Sequence, residues 1–133
     1  MILQCFGSKI MGGKEKYKLL IVDDNQKNCQ VAKRCMEDCY EIEIAFDGEE
    51  ALSQINRFNP AVVLLDIRMP KITGDDLVKI IKAGKPEIIV IMVSAHLTPE
   101  ISKACMQDGA SACFNKPINF DLLKETLAEL LNP

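Results

Sequence analysis

Five side chains whose types suit phosphoryl chemistry stand just after short apolar runs of this sequence. Asp23 and Asp24 follow one such run, and Asp66, Ser94 and Lys116 each follow a later one. Carboxylates brought together repel one another, which raises the pKa of at least one of them. A hard divalent cation such as Mg²⁺ relieves that repulsion because it prefers oxygen ligands. Such a site, with a lysine beside it, suits a dianionic phosphoryl group next to a carboxylate, where catalysis is mostly positioning and charge neutralisation.

The elements that would bring these side chains together are apolar runs alternating with amphipathic stretches. The pattern predicts strands at 18–22, 41–45, 61–65, 87–93 and 111–115, and helices at 25–38, 48–57, 75–83, 99–107 and 119–131. Most of the runs are continuously apolar, which indicates strands buried on both faces between helices. We therefore predict a single α/β domain with a doubly wound parallel sheet, whose carboxyl edge collects the five side chains.

Composition excludes several classes of protein. The chain has 133 residues, 48% of them apolar and 26% charged, with a net charge of −3. This balance is typical of a globular domain and argues against direct nucleic-acid binding. No apolar run approaches the length of a membrane span, and residues 1–10 lack the order of an export signal, so we expect a cytoplasmic protein without membrane association. The six cysteines show no CxxC spacing, and His96 is the only histidine, so we predict reduced thiols and no zinc site.

Four short stretches together resemble the receiver domain of a two-component response regulator, of the stand-alone chemotaxis or relay type. They are IVDDN at 21–25, LLDIRMP at 64–70, VSA at 93–95 and NKP at 115–117. The resemblance implies a five-stranded (βα)5 flavodoxin-like sheet with strand order 2-1-3-4-5. It also implies that 17–131 forms the receiver domain and that 1–16 is an amino-terminal extension.

The resemblance implies a role for each acid of the predicted site. Asp66 would accept a phosphoryl group from a phosphohistidine on a histidine kinase or a histidine phosphotransfer protein. Asp24 would bind Mg²⁺ directly, Asp23 would support the metal through water, and Asp66 would also contact it. The backbone carbonyl of Arg68 would be a further ligand.

The resemblance also assigns the remaining polar groups. Lys116 would pair with Asp66 and then with a phosphoryl oxygen, and its bond to Pro117 would be cis. Ser94 would hydrogen-bond another phosphoryl oxygen. The domain would be a signalling switch that catalyses only its own phosphorylation and dephosphorylation and binds a downstream protein target. Whether the activated form is a homodimer stays open.

Two features depart from the family pattern or vary within it. Cys113 stands where the family has a Tyr or Phe that reports activation, and strand alternation directs the adjacent Phe114 to the other face. Arg68 and His96 occupy the variable positions that flank the phosphorylation site. The resemblance places partner specificity on the first helix, around Lys27 to Cys35.

Other functions stay open beside this one. A pseudo-receiver would be a purely interacting module, although such modules usually lose the acceptor acid or the lysine, and both remain here. The chain could also be the receiver fragment of a larger regulator or hybrid kinase. A dehalogenase-like phosphatase would need a DxD pattern after the first strand, where this sequence has Asp23, Asp24 and Asn25. Nucleotide-binding glycine motifs are absent from the sequence.

Overall fold

Five strands alternate with five helices along the chain. We describe residues 16–69 and 71–132 from a computed structural model. The strands are β1 (Tyr17–Val22), β2 (Tyr40–Ala45), β3 (Val62–Asp66), β4 (Ile89–Ser94) and β5 (Ala112–Asn115). The helices are α1 (Gln26–Met36), α2 (Gly48–Phe58), α3 (Gly74–Gly84), α4 (Pro99–Asp108) and α5 (Phe120–Leu131). Each element lies within two residues of its predicted bounds, and the predicted extension, residues 1–16, falls outside the described residues except for Lys16.

The strands form one parallel sheet in the order β2-β1-β3-β4-β5, which confirms the predicted topology. Register aligns the carboxyl ends of the central strands. Val22 pairs with Leu65 across β1 and β3, and Asp66 pairs with Val93 across β3 and β4. The residues that follow β1 and β3 therefore lie side by side at one edge of the sheet.

Apolar side chains fill both faces of the sheet, as a doubly wound fold requires. One cluster lies under α2, α3 and α4 and the other under α1 and α5. Two apolar residues that share the helical spacing of the buried positions lie outside these clusters. Val31 is 54% exposed and Ile80 is 47% exposed. A spacing of three or four residues marks a broad helical stripe, and only its centre reaches the sheet.

Polar caps set where the helices begin. The side chains that accept a hydrogen bond from the first turn are those of Asn25, Asp47, Thr73, Thr98 and Asn119. Asn25 caps α1 directly after Asp23 and Asp24, so the acids stand at the amino end of a helix, where negative charge is favoured. Gly109 ends α4 in the left-handed region, at φ 117°, as its position after the apolar pattern predicts.

Two local expectations have different outcomes. The Lys116–Pro117 peptide bond is cis, as the resemblance implied. The expectation of six reduced thiols is wrong for Cys39, which takes part in a disulfide, whereas Cys29, Cys35, Cys105 and Cys113 are free. The absence of a CxxC spacing argues against one type of cysteine motif, but it does not show that every thiol is reduced. Within the described ranges, every helix is too short or too polar to cross a bilayer.

Candidate functional site

Three acids meet at the carboxyl edge of the sheet. Asp23 follows β1, Asp24 is the next residue, and Asp66 is the last residue of β3. One carboxylate oxygen from each lies within 4.8 Å of the others. Asp23 and Asp66 are only 7% and 8% exposed, while Asp24 faces solvent. This group of oxygens could hold a metal ion, as the sequence pattern predicted.

Lys116 joins two of these acids. It follows β5, and its Nζ lies 3.3 Å from Asp23 Oδ2 and 3.2 Å from Asp66 Oδ2. Burial alone would lower the pKa of Lys116, but the charges of Asp66 and Asp23 outweigh it and raise the pKa. The lysine therefore stays protonated and carries a positive charge between two buried carboxylates.

Asp66 is held in an environment that disfavours its charge. Burial raises the pKa of its carboxyl group, and the neighbouring charge of Asp23 raises it further. Lys116 and the backbone N–H of Arg68, which donates to Asp66 Oδ1 at 3.2 Å, act in the opposite direction. The net effect is a raised pKa, so a cation that joins this site gains from the uncompensated repulsion.

Asp23 is fixed by the first turns of α1. Its Oδ1 accepts the Asn25 N–H at 2.9 Å, and its Oδ2 accepts the Asn28 side-chain amide at 3.3 Å. Cys29 donates its thiol to the Asp23 carbonyl at 3.3 Å, and burial raises the pKa of that thiol to about 11, helped by the charge of Asp23. Asn28 was not among the predicted site residues. Its only signal is a polar position in the first turn after the acids.

Ser94 ends β4 next to the acids but is not joined to them. Its Oγ accepts the His96 N–H at 3.1 Å, and its carbonyl accepts the Lys116 N–H at 2.9 Å. Among the described residues it makes no hydrogen bond to the three acids. The backbone of Ser94 connects β4 to Lys116, the residue that carries the site's positive charge.

The flanking positions Arg68 and His96 are both exposed. Arg68 contributes its backbone N–H to Asp66, and the predicted role of its carbonyl as a metal ligand stays a prediction. The expectation that their side chains flank the phosphorylation site stays a prediction.

Gly74, the first residue of α3, packs against the backbone of Asp66 and Ile67. It was not among the predicted site residues. Its N–H donates to the Ile67 carbonyl at 2.9 Å. A Cβ at this position would lie 2.5 Å from the Asp66 carbonyl oxygen and 2.7 Å from Ile67 Cα. Only glycine therefore lets α3 begin this close to the acceptor strand.

Cys113 and Phe114 lie on opposite faces of β5, as predicted. Cys113 packs with the cluster under α4, where its Sγ lies 3.9 Å from the Ser102 carbonyl oxygen. Phe114 packs with the cluster under α1 and α5. The position at which the family usually has an aromatic ring is therefore occupied by a small thiol directed toward α4.

Comparison with known proteins finds one family. The family model described as the response regulator receiver domain matches residues 19–128. Transcriptional regulatory protein ZraR of Salmonella typhimurium is 32% identical over 117 residues, which are 87% of this chain and 26% of that protein. Sensor histidine kinase RcsC of Escherichia coli is 29% identical over 120 residues, 90% of this chain and 13% of that protein. The chain thus spans about a quarter or less of these curated relatives.

Solved structures of similar shape match over most of their length. Chemotaxis protein CheY4 of Vibrio cholerae superposes with a TM-score of 0.81 at 30% identity, covering 87% of this chain and 99% of that chain. A CheY-like receiver domain protein from Methanospirillum hungatei gives a TM-score of 0.82 at 32% identity, covering 90% of this chain and 95% of that chain.

Proposed function

This chain belongs to the response regulator receiver domain family of two-component systems, and we propose that Asp66 is the residue that accepts the phosphoryl group. The observation that carries the proposal is the arrangement of Asp66, a buried carboxylate flanked by two further acids and paired with Lys116 at 3.2 Å. Burial holds Asp66 at the end of β3, and the lysine supplies positive charge for an incoming phosphoryl oxygen.

Mg²⁺ suits the three acids as a cofactor. Carboxylate oxygens are the ligands this hard cation prefers, and those of Asp23, Asp24 and Asp66 lie within 4.8 Å of one another. Asp24 is the exposed member and would bind the ion directly, with the Arg68 carbonyl as a further ligand. When bound, the ion neutralises the acids and the phosphoryl oxygens.

The chain's own residues divide the transfer step between them. An Asp66 carboxylate oxygen forms a bond to phosphorus while the bond from phosphorus to the donor histidine nitrogen breaks, and the electron pair leaves on that nitrogen. Lys116 exchanges its contact with Asp66 for a phosphoryl oxygen. Ser94, whose hydroxyl group ends β4 beside the acids, hydrogen-bonds another phosphoryl oxygen. The domain then catalyses its own loss of the group by hydrolysis.

The proposed partners follow from this chemistry. A histidine kinase or a histidine phosphotransfer protein supplies the phosphohistidine, with α1 at the rim of the site as the contact surface. A downstream protein, or a second copy of the activated chain, reads the phosphorylated state on the α4, β5 and α5 face. We place these events in the cytoplasm.

The proposal is tested by intact mass after incubation with acetyl phosphate, with and without Mg²⁺. We expect a single phosphoryl adduct that requires Mg²⁺ and is absent from Asp66→Asn. Asp76→Asn, which changes an exposed acid in the first turn of α3, is the matched control and keeps the adduct. An adduct that persists in Asp66→Asn would overturn the assignment. The absence of any adduct, even from a phosphohistidine donor, would favour the pseudo-receiver.

A further inference from the structure

A cavity of about 470 Å³ lies between α1 and the segment that leads from β5 into α5. One end is charged, because Asp23, Asp66 and Lys116 are among its lining residues. The rest of the wall is mainly apolar, with side chains from α1, from the segment after Lys116 and from the strands beneath. The apolar lining residues from the two segments on either side are Val31, Ala32, Ile118 and Phe120.

The cavity has the form of a small-molecule site. Its volume falls in the range of ligand pockets, which combine apolar walls with a few convergent polar groups. Val31 is half exposed on α1 although it is apolar, so part of this wall stays in contact with water. An apolar group placed against Val31 and Ile118 would remove that surface from water, which is favourable.

The charged end and the apolar wall together define the chemistry of the occupant. A molecule that fits the charged end has a dianionic group that contacts Lys116 and the proposed cation. To fit the apolar wall, it also has a short hydrocarbon chain, which forms no hydrogen bonds. We propose that the cavity binds the chain of small acyl phosphates and makes the protein prefer longer acyl phosphates to acetyl phosphate as direct phosphoryl donors. This inference rests on the proposed function of Asp66.

The transfer from such a donor balances without any further reactant. An Asp66 oxygen forms the new bond to phosphorus, and the bond between phosphorus and the acyl oxygen breaks. The electron pair leaves on that oxygen, so the product is the acyl carboxylate. No electron is exchanged with an external reagent, and no proton is required because the leaving carboxylate is stable as an anion.

The inference is tested by the initial rate of adduct formation with three donors. The full chain with Mg²⁺ is incubated with acetyl, propionyl or butyryl phosphate at equal concentrations well below saturation, and the adduct is followed by intact mass. Each methylene buried in an apolar site favours binding several-fold. We therefore expect the rate to rise by about three-fold per added methylene group.

Variants show whether the cavity is responsible. Val31→Ala and Ile118→Ala remove apolar wall, and we expect each to reduce the ratio of the butyryl to the acetyl rate by about half or more. Ile80→Ala is the matched control, because Ile80 is similarly exposed but lies on α3, across the sheet from α1. It leaves both rates unchanged.

The outcomes separate the inference from the function on which it rests. Equal rates with all three donors, with a normal acetyl phosphate adduct, would overturn the donor preference and leave the proposed function standing. The cavity would then serve a side chain of a protein partner. A chain-length preference that survives both Val31→Ala and Ile118→Ala would also overturn the assignment to this cavity. Absence of an adduct from every donor would contradict the proposed function itself.

Discussion

Burial has opposite consequences at the carboxyl edge of the sheet and in the two apolar clusters on its faces. In the clusters, side chains such as Leu77 and Leu123 are removed from water without leaving any polar group behind, which stabilises the fold. At the edge, Asp23 and Asp66 are nearly as buried, but they carry like charges, which the positive charge of Lys116 offsets only in part. Burial there costs stability unless a cation joins the site.

The difference teaches where function resides in this fold. A sheet that needed only stability would end its central strands in apolar or neutral polar residues. This one gathers three acids within 4.8 Å, and it places glycine where any side chain would strike the acceptor strand. Binding of a cation to the three acids would restore the stability that their mutual repulsion costs.

Removing apolar volume from a cluster should have the largest effect on stability. Leu77 on α3 is fully buried, and we expect Leu77→Ala to lower the free energy of unfolding by about 3 kcal/mol, because the substitution leaves a cavity. Ile80→Ala, on the exposed side of the same helix, should change it by less than about 0.5 kcal/mol. Urea unfolding measures both, and similar losses in the two variants would contradict the division between cluster and surface.

The next largest effect concerns the contact between α3 and the edge. In Gly74→Ala the new Cβ would meet the Asp66 carbonyl oxygen at 2.5 Å, and backbone must shift. We expect the free energy of unfolding to fall by about 2 kcal/mol, because the added methyl group overpacks this contact and strains the backbone. Gly84→Ala at the other end of α3 has nothing within 4 Å and should be neutral or stabilising by about 0.5 kcal/mol. Equal effects of the two substitutions would show that α3 does not press against the edge.

The smallest expected effect is a gain in stability, which depends on pH and comes from removing the charge of Asp66. The pKa of Asp66 is raised above its ordinary value by burial and by Asp23, so the folded state binds a proton more readily than the unfolded state. Stability is then lost as pH rises from the ordinary aspartate range through the raised pKa. At pH 7 in the presence of EDTA, the free energy of unfolding of Asp66→Asn should therefore be about 1 kcal/mol higher than that of the wild type.

That gain should shrink as the pH falls through the raised pKa of Asp66, and it should be smallest below about 4, where the wild-type carboxyl group is protonated in both states. Mg²⁺ should stabilise the wild type more than Asp66→Asn. Asp76→Asn, in the exposed first turn of α3, should be slightly destabilised instead, since it loses a favourable helix-terminal charge. A loss of stability in Asp66→Asn at pH 7 without metal would contradict the repulsion on which the comparison depends.

Sequence patterns predicted the elements of this fold because each strand is a local apolar run and each helix has a local period. The site acids were also predictable, since Asp23, Asp24 and Asp66 directly follow their strands and a parallel sheet brings such positions to one edge. Which apolar positions reach the sheet was less predictable. The exposure of Val31 and Ile80 depends on how each helix is rotated against its neighbours.

Contacts between distant segments could not be predicted in this way. Lys124 on α5 is buried and pairs with Asp38 at 3.4 Å, although its position suggests an exposed lysine. The space that makes Gly74 necessary is set by the Asp66 backbone on another element. Each of these depends on where two parts of the chain meet, which no single window of sequence contains.

The most direct test of the central claim is to locate the phosphoryl group on the chain. After phosphorylation with Mg²⁺, borohydride reduction converts the phosphorylated aspartate into homoserine, and peptide mass spectrometry then identifies its position. We predict homoserine at position 66 and unmodified Asp23 and Asp24, because Asp66 combines burial with the Lys116 contact at 3.2 Å. Homoserine at position 23 or 24, with Asp66 unchanged, would contradict the account.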